Sequence, residues 1–239
     1  MGTDKRFERE AMLIGESGVE LLSRSTVALF GVGGVGSYAA EALARCGVGK
    51  IVLIDHDTVS ESNINRQLCA LTSTVGLPKV AVVGARLRDI NPKAEIIERR
   101  EFFLPENSDE FDFSEYDFVI DAIDTVSGKL EIAKKATDAG VSMICCMGTG
   151  NKLDPTAFRV TDVSKTSVCP LARVMRRELK KRGIDHLKVL YSEEAPIKIE
   201  ASAEGGKVPP ASIAFVPSVA GLIAAGEAVK TILGKEKNI

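Results

Sequence analysis

The feature that most constrains this chain is a glycine cluster, Gly31-Val-Gly-Gly-Val-Gly36, which lies between a strand pattern and a helix pattern. The apolar, β-branched run at 26–30 predicts a buried strand that leads into the cluster. Beyond it, apolar residues recur at three- and four-residue spacing up to Cys46, which predicts a helix that ends at Gly47. The apolar run at 50–55 predicts a second strand, buried on both faces as parallel strands are. Together these segments predict a right-handed βαβ unit.

Strand and helix patterns continue to alternate along the chain. They predict a Rossmann-like α/β fold, a mostly parallel sheet with helices on both faces. Further strands are predicted at 94–97, 117–121, 141–146 and 157–160 and near Leu187 and Ile197. Further helices are predicted at 78–90, 127–139, 171–182 and 218–233, and a loop at 202–210. Beyond Asp154 the pattern is less regular, and this C-terminal part is expected to continue the same sheet.

Charge balance and cysteine pattern exclude several classes of protein. Lys and Arg total 31 against 33 Asp and Glu, a net charge of −2, so bulk charge does not argue for nucleic-acid binding. The longest uncharged stretch, 208–226, is interrupted by prolines and a glycine, so no membrane association is expected. The mixed-charge N-terminus predicts a cytoplasmic protein. The five cysteines form no CxxC pair, which argues against a disulfide framework or a structural zinc site.

The glycine spacing predicts a nucleotide-binding site. Gly31, Gly33 and Gly36 follow the pattern G-x-G-x-x-G, and Asp55 ends the next predicted strand. Glycine lets a phosphate approach the backbone, the helix N-terminus offers free N–H groups, and the acid can accept hydrogen bonds from ribose hydroxyls. This pattern alone leaves NAD, FAD and ATP open.

Charged residues elsewhere favour transfer of AMP over transfer of hydride. Arg66 follows Asn63 in the loop after the second strand, Lys79 begins the next helix, and Asp124 follows a buried strand. An enzyme that transfers AMP must stabilise negative charge on phosphates and hold Mg²⁺ with a carboxylate. A hydride-transfer enzyme does not need cations and an acid in this combination.

With these residues in place, the chain resembles the ThiF/MoeB/HesA superfamily of ATP-dependent adenylating enzymes over nearly its whole length. The resemblance implies one domain over 1–239, with a nucleotide-binding half at about 20–150 and a substrate-facing half at about 151–239. It implies ATP and Mg²⁺ as cofactors and a homodimer in which Arg9 reaches the partner's ATP. The implied nucleotide-binding residues are Gly31, Gly33, Gly34, Gly36, Asp55, Asp57, Asn63, Arg66, Gln67, Lys79 and Asp124.

Within these residues the resemblance implies distinct roles. The glycines would wrap the phosphates, and Asp55 would hold the ribose. Asn63, Arg66 and Lys79 would contact the phosphates, and Asp124 would bind Mg²⁺. The residues implied to act in catalysis are Arg9, Arg66, Lys79 and Asp124.

Inside the superfamily the chain looks most like the tRNA threonylcarbamoyladenosine dehydratases. The segments that carry this resemblance are 119–124, 148–155, 161–166 and 170–172. It implies ATP-dependent dehydration of N6-threonylcarbamoyladenosine beside the tRNA anticodon, through an acyl-adenylate, to the cyclic form. The tRNA that carries this nucleoside would be the substrate partner, and a sulfur-transfer protein is a further candidate partner.

Two alternative functions stay open at this point. One is adenylation of the C-terminal glycine of a ubiquitin-like sulfur carrier protein, although members with that activity usually have CxxC zinc ligands and a reactive cysteine. Cys169 is the one cysteine outside an apparent core segment, and it is either a reactive thiol or a small buried residue. The other alternative is an NAD-dependent oxidoreductase or a nucleotide-sensing module.

A basic segment at 173–188 is a candidate tRNA-binding surface. Within this segment the only acidic residues are Glu178 and Asp185. Four of its cations share one predicted helix face. The alternative is a solvated helix face with cations near its C-terminus. The four residues on that face are Arg173, Arg176, Arg177 and Lys180.

Overall fold

The structure, a computed structural model, describes residues 4–199 and 209–234. Within these residues seven strands form one sheet in the order β3-β2-β1-β4-β5-β7-β6. Neighbouring strands are parallel except for β6, which pairs antiparallel with β7 at one edge. The mostly parallel α/β fold is therefore confirmed. The strands are β1 Thr26–Phe30, β2 Lys50–Ile54, β3 Glu95–Arg99, β4 Phe118–Asp121, β5 Ser142–Cys146, β6 Phe158–Asp162 and β7 Lys188–Ser192.

Within the described residues, six of the seven α-helices bury residues against the two faces of this sheet. Alternate residues of β1 point to opposite faces, so Val27 and Leu29 enter one core while Ala28 and Phe30 enter the other. The first core contains residues of α2, α3, α4 and α7, and the second contains residues of α5 and α6 with an aromatic cluster around Phe30. The helices are α1 Glu8–Ile14, α2 Glu16–Arg24, α3 Gly36–Arg45, α4 Lys79–Ile90, α5 Val126–Asp138, α6 Pro170–Lys180 and α7 Phe215–Ile232.

The last helix, α7, packs tightly behind the glycine cluster. A Cβ atom on Gly221 would lie 2.2 Å from the carbonyl oxygen of Val35, so a larger residue would push α7 away from α3. By length and composition alone, α7 is apolar enough to cross a membrane. Its small residues Ala220, Ala224 and Ala228 are buried in the core, which accounts for that composition.

Three expectations differ from the structure. The strand predicted near Ile197 is wrong, because Pro196 has no N–H for a ladder and the Ile197 N–H bonds instead to the Asn151 carbonyl at 2.8 Å. Helix α7 begins at Phe215 rather than at 218, because Pro217 is tolerated in the first turn of a helix. The sequence patterns also predict neither α1, which has no buried residue, nor α2, which buries Gly18, Val19 and Leu22. The predicted loop at 202–210 lies outside the described residues apart from its last two prolines.

Candidate functional site

A cavity of about 340 Å³ opens at the carboxyl ends of β1, β2 and β4. Strand β1 leads by crossovers to β2 on one side, while β4 lies on its other side, so this is the point where strand order reverses. Open α/β sheets bind ligands at such a point. Ten of the predicted residues line the cavity: Gly31, Gly33, Gly34, Asp55, Asp57, Asn63, Arg66, Gln67, Lys79 and Asp124.

The glycine cluster forms the floor of this cavity. Gly31 has φ +88°, and a Cβ atom there would lie 2.7 Å from the carbonyl oxygen of Ala122. Gly36 lies behind the cavity and does not line it. A Cβ on Gly36 would lie 1.8 Å from the Gly31 carbonyl oxygen, so this glycine serves the packing of α3 on the loop.

Asp55 is held by the backbone on two sides of the cavity. Its Oδ2 accepts a hydrogen bond from the Val32 N–H at 2.8 Å, and its Oδ1 accepts one from the Asp57 N–H at 2.8 Å. Each carboxylate oxygen can accept a further hydrogen bond. Asp55 is therefore oriented to accept from a sugar hydroxyl in the cavity.

Lys79 is buried at the start of α4 yet carries a positive charge into the cavity. Its Nζ donates to Oδ2 of Asp57 at 2.7 Å, and its backbone N–H donates to the Asp57 carbonyl at 3.0 Å. A buried cation is retained only where it is paired, which Asp57 provides. The Lys79 side chain is only 6% exposed, against 48% for Asp57. Lys79 is therefore largely buried in the wall of the cavity, while Asp57 is half exposed.

The segment after β2 supplies further polar groups. Asn63 and Gln67 are buried, and Oδ1 of Asn63 accepts from the Ser60 N–H at 3.1 Å. Arg66 donates from Nη1 to the Ser62 carbonyl at 2.7 Å and to Oδ1 of Asn65 at 3.0 Å. Among the described residues no carboxylate pairs with Arg66, so its charge is available to an anion in the cavity.

Asp124 is the carboxylate in this cavity that could hold a metal ion. It is exposed at the cavity wall, and within residues 4–199 and 209–234 no group donates a hydrogen bond to its carboxylate. Carboxylates of Asp55 and Asp57 also lie close together beside His56. Those two carboxylates already accept hydrogen bonds from backbone N–H groups and from Lys79, and Glu101, which also lines the cavity, pairs with Arg99. Among the described residues Asp124 is thus the lining carboxylate without a partner, and carboxylate oxygens are ligands that Mg²⁺ accepts.

Arg9 is the one predicted catalytic residue that the structure does not bring to this cavity. It lies exposed on α1. Met12 and Leu13 on the same helix are 86% and 83% exposed, an unusual exposure for apolar side chains.

Several residues that line the cavity are not predicted from the sequence. His56 and Phe102 meet edge to face with ring centroids 4.3 Å apart at the β2–β3 side of the cavity. Because Phe102 follows a strand adjacent to β2, its position follows from the rule that carboxyl ends of parallel strands share an edge. Thr149 also lines the cavity, and Ser212 and Pro217 line it from the substrate-facing half at 151–239, where no sequence motif pointed to them.

None of the cysteines resembles an activated nucleophile. Burial raises the pKa of Cys69, and it raises the pKa of Cys46 and of Cys146 to about 12. Burial also raises the pKa of Cys145 well above its usual value. Cys169 is only 5% exposed, in contrast to its apparent place outside the core.

The basic segment at 173–188 lies in α6 up to Lys180, continues through a turn and ends at the start of β7, and its cations are not equivalent. Arg176 is tethered, because its Nη1 donates to the carbonyl and hydroxyl oxygens of Thr166 at 2.9 and 2.7 Å. Glu178 accepts from three cations, and mainly the hydrogen bond from Lys181 lowers its pKa to about 2. The three cations paired with Glu178 are Arg177, Lys181 and Arg182.

The four predicted helix-face cations nevertheless line one groove. Of these, Arg173 and Lys180 have no ion-pair or hydrogen-bond partner for their side chains among the described residues. Free positive charge on α6 therefore concentrates at these two positions.

Several known proteins are similar to this chain over nearly its whole length. The tRNA threonylcarbamoyladenosine dehydratase of Bacillus subtilis is 47% identical over 240 residues, covering 95% of this chain and 94% of that protein. The Escherichia coli protein of the same name is 35% identical and covers 97% and 94%. The crystal structure of that E. coli enzyme, TcdA, in complex with ATP superposes with a TM-score of 0.88 and covers 97% of this chain and 95% of TcdA.

The ThiF family profile matches residues 7–239, which includes every residue that lines the cavity. The family match therefore includes the glycine loop, Asp55 and the cations around the cavity. The chain belongs to the ThiF family.

Proposed function

We propose that this protein is an ATP-dependent tRNA threonylcarbamoyladenosine dehydratase. The observation that carries the proposal is near-complete alignment with dehydratases at up to 47% identity. The cavity of this chain is consistent with the proposal, because the glycine loop, two cations and the unpaired carboxylate of Asp124 line it. These groups suit a triphosphate better than a redox dinucleotide, which argues against the oxidoreductase alternative.

The first step joins the threonine carboxylate of the modified adenosine to AMP. A carboxylate oxygen attacks the α-phosphorus of ATP, the bond to the β-phosphate breaks, and pyrophosphate leaves. Lys79 and Arg66 would stabilise the negative charge that develops on the phosphates, and Asp55 would hold the ribose. The product is a mixed anhydride between the threonine carboxyl and AMP.

The second step closes a ring within the substrate. The carbamoyl nitrogen or oxygen attacks the activated carbonyl carbon, a carbamoyl N–H gives up its proton in either case, and AMP leaves with one carboxylate oxygen. Because attacker and carbonyl are tethered, about 7 to 11 kcal/mol of the barrier can be removed without an enzyme nucleophile. This agrees with raised pKa values for four of the five thiols.

Asp124 is the residue that would hold Mg²⁺, since its carboxylate is free and faces the cavity. When bound, Mg²⁺ supplies charge neutralisation on phosphate oxygens. The half of the chain at 151–239 would face the tRNA, and α6 would contact its phosphate backbone through Arg173 and Lys180.

The active form is proposed to be a cytoplasmic homodimer. The exposed Met12 and Leu13 on α1 suit burial against a second copy, and Arg9 lies on the same helix. In such a dimer Arg9 would reach the ATP of its partner. The sulfur-transfer partner stays a prediction.

The test is a reaction of purified protein, ATP, Mg²⁺ and tRNA carrying N6-threonylcarbamoyladenosine, with nucleoside mass spectrometry as the readout. We expect loss of one water from the nucleoside and release of AMP and pyrophosphate in equal amounts. A parallel reaction with a ubiquitin-like sulfur carrier tests the other adenylation substrate. Carrier adenylation with unchanged tRNA would contradict the proposal in favour of that alternative.

A further inference from the structure

A charged pair lies in the core directly beneath the cavity, and the chemistry above does not use it. Lys129 of α5 and Asp121 at the end of β4 have side chains that are 1% and 0% exposed, and Nζ lies 3.0 Å from Oδ1. Burying two ions costs several kcal/mol each, and apolar residues of similar volume often replace such pairs without loss of stability. Stability alone therefore does not account for this pair.

The pair is fully hydrogen-bonded within the core. Oδ2 of Asp121 accepts from the Cys145 thiol at 2.8 Å, and Lys129 Nζ donates to the Cys146 carbonyl at 2.7 Å. Burial alone would lower the pKa of Lys129, but the Asp121 carboxylate raises it above the usual value. Lys129 therefore stays charged, and both side chains have one fixed orientation.

These two residues flank the loop that carries Asp124. The loop 122–125 starts after Asp121, and α5 begins with a hydrogen bond from the Lys129 N–H to the Thr125 carbonyl at 2.9 Å. Asp121 Oδ1 also accepts from the N–H of Ile123 at 3.2 Å, inside the loop. The ion pair thus links the strand before the loop to the helix after it, and Asp121 also fixes the backbone of Ile123 within the loop.

All four residues of this loop line the cavity, and packing fixes two of them. A Cβ on Gly128 would lie 2.6 Å from Cδ1 of Ile123, and a Cβ on Gly31 would lie 2.7 Å from the Ala122 carbonyl oxygen. The Asp124 carboxylate has no described partner of its own. Its position therefore depends on the backbone that the buried pair holds.

We infer that Asp121 and Lys129 are positioning residues that set the location of the Asp124 carboxylate against the phosphates of bound nucleotide. The inference rests on the proposed function for its turnover measurement. Its nucleotide-binding measurement does not depend on the tRNA substrate.

The test variant is Asp121→Asn combined with Lys129→Met, which removes both charges and keeps an oxygen to accept from the Ile123 N–H. The matched control is Asp138→Asn with Lys134→Met, the same change at an exposed pair, 3.1 Å apart, on α5. ATP affinity is measured by calorimetry in EDTA and in Mg²⁺, with thermal unfolding as a check of the fold.

We expect the test variant to fold and to bind ATP in EDTA within about twofold of wild type, but to lose the gain in affinity that Mg²⁺ gives. Since displacement of about 1 Å can cost on the order of 100-fold in rate, its kcat should fall by about 100-fold. The control should keep both properties. A folded test variant with wild-type kcat and wild-type Mg²⁺ enhancement overturns the inference.

If the double variant does not fold, Cys145→Ala takes its place. It keeps the ion pair and removes one hydrogen bond that orients Asp121. A reduced Mg²⁺ enhancement supports the inference, and an unchanged one overturns it. If wild type binds ATP with Mg²⁺ enhancement but leaves the modified tRNA unchanged, the proposed function fails while the positioning role is still measured.

Discussion

The Nζ atom of Lys79 lies 2.7 Å from Oδ2 of Asp57, so the first residue of α4 is tied to the loop after β2 at the wall of the cavity. Asp57 compensates the buried charge of Lys79 while remaining half exposed itself. An entering phosphate can therefore share Lys79 with Asp57 without leaving either charge buried and unpaired. The ion pair prepares a cation for an anionic ligand.

Replacing Lys79 with Met should reduce kcat for adenylation by about 100- to 1,000-fold, the usual effect of losing one preorganised donor at developing charge. Pyrophosphate release with the modified tRNA as substrate measures this. The control Lys50→Met removes a cation whose ion pair with Glu95 lies at 3.7 Å. Comparable losses in both variants would contradict a specific role for Lys79.

Asp124→Asn should reduce turnover by about 100-fold or more, because loss of a metal-held charge removes several kcal/mol of stabilisation. Its melting temperature should match wild type, since no described residue bonds to the Asp124 carboxylate. In a titration with Mg²⁺, the increase in ATP affinity should be smaller than for wild type. A variant with near-normal rate would show that the metal assignment is wrong.

Gly31 and Gly76 offer a matched test of the glycine loop, since both have φ +88°. Alanine at Gly76 meets nothing within 4 Å and should cost only the left-handed strain, about 1 to 2 kcal/mol. Alanine at Gly31 meets the Ala122 carbonyl and should cost about 1 to 3 kcal/mol more. Urea unfolding of both variants gives the difference, and equal losses would refute the close contact.

Arg9→Ala should leave the melting temperature unchanged, because Arg9 is exposed in the protomer. It should lower turnover by about 1,000-fold if it stabilises phosphate charge as arginine fingers do. Mixing inactive Arg9→Ala and Lys79→Met subunits should restore activity, because one site of the mixed dimer has both residues intact. No recovery after confirmed subunit exchange would exclude action across the dimer.

Arg173→Glu with Lys180→Glu should weaken tRNA binding at low salt and reduce the slope of log affinity against log salt by about 2, one for each lost phosphate contact. The control is Arg177→Glu, a cation that Glu178 already pairs with at 3.1 Å. Fluorescence anisotropy with labelled tRNA measures both. Equal effects would indicate a general response to charge.

Much of the nucleotide half followed from the sequence, because each element carries its own local signal. The β1–α3–β2 unit has β-branched strands, a glycine loop and a helical period, and Asp55 lies where the next strand ends. The charges of Lys79 and Asp124 marked them as candidates in the sequence, the family resemblance added their phosphate and Mg²⁺ roles, and both residues line the cavity. Local pattern was sufficient here because parallel strands bring their carboxyl ends together.

The rest depends on tertiary contacts that no local pattern encodes. Ser212 reaches the cavity because Asn65 Nδ2 donates to its carbonyl at 2.9 Å and Asn151 Oδ1 accepts from the Ala211 N–H at 2.7 Å. Helix α1 buries no side chain and leaves no periodic signal. By contrast, Glu178 pairs with Lys181 and Arg182 at three- and four-residue spacing, so this pairing could have been predicted from the sequence.

The contact of Pro217 with the glycine loop has a consequence for synthesis of the protein. A Cβ on Gly34 would lie 3.2 Å from Cβ of Pro217. The first turn of α7 thus forms one wall of the cavity, and the loops after β1 and β2 form the opposite part. A nascent chain still on the ribosome would expose the glycine loop long before that wall emerges. Competence to bind ATP should therefore arise only after the first turn of α7 has been synthesised.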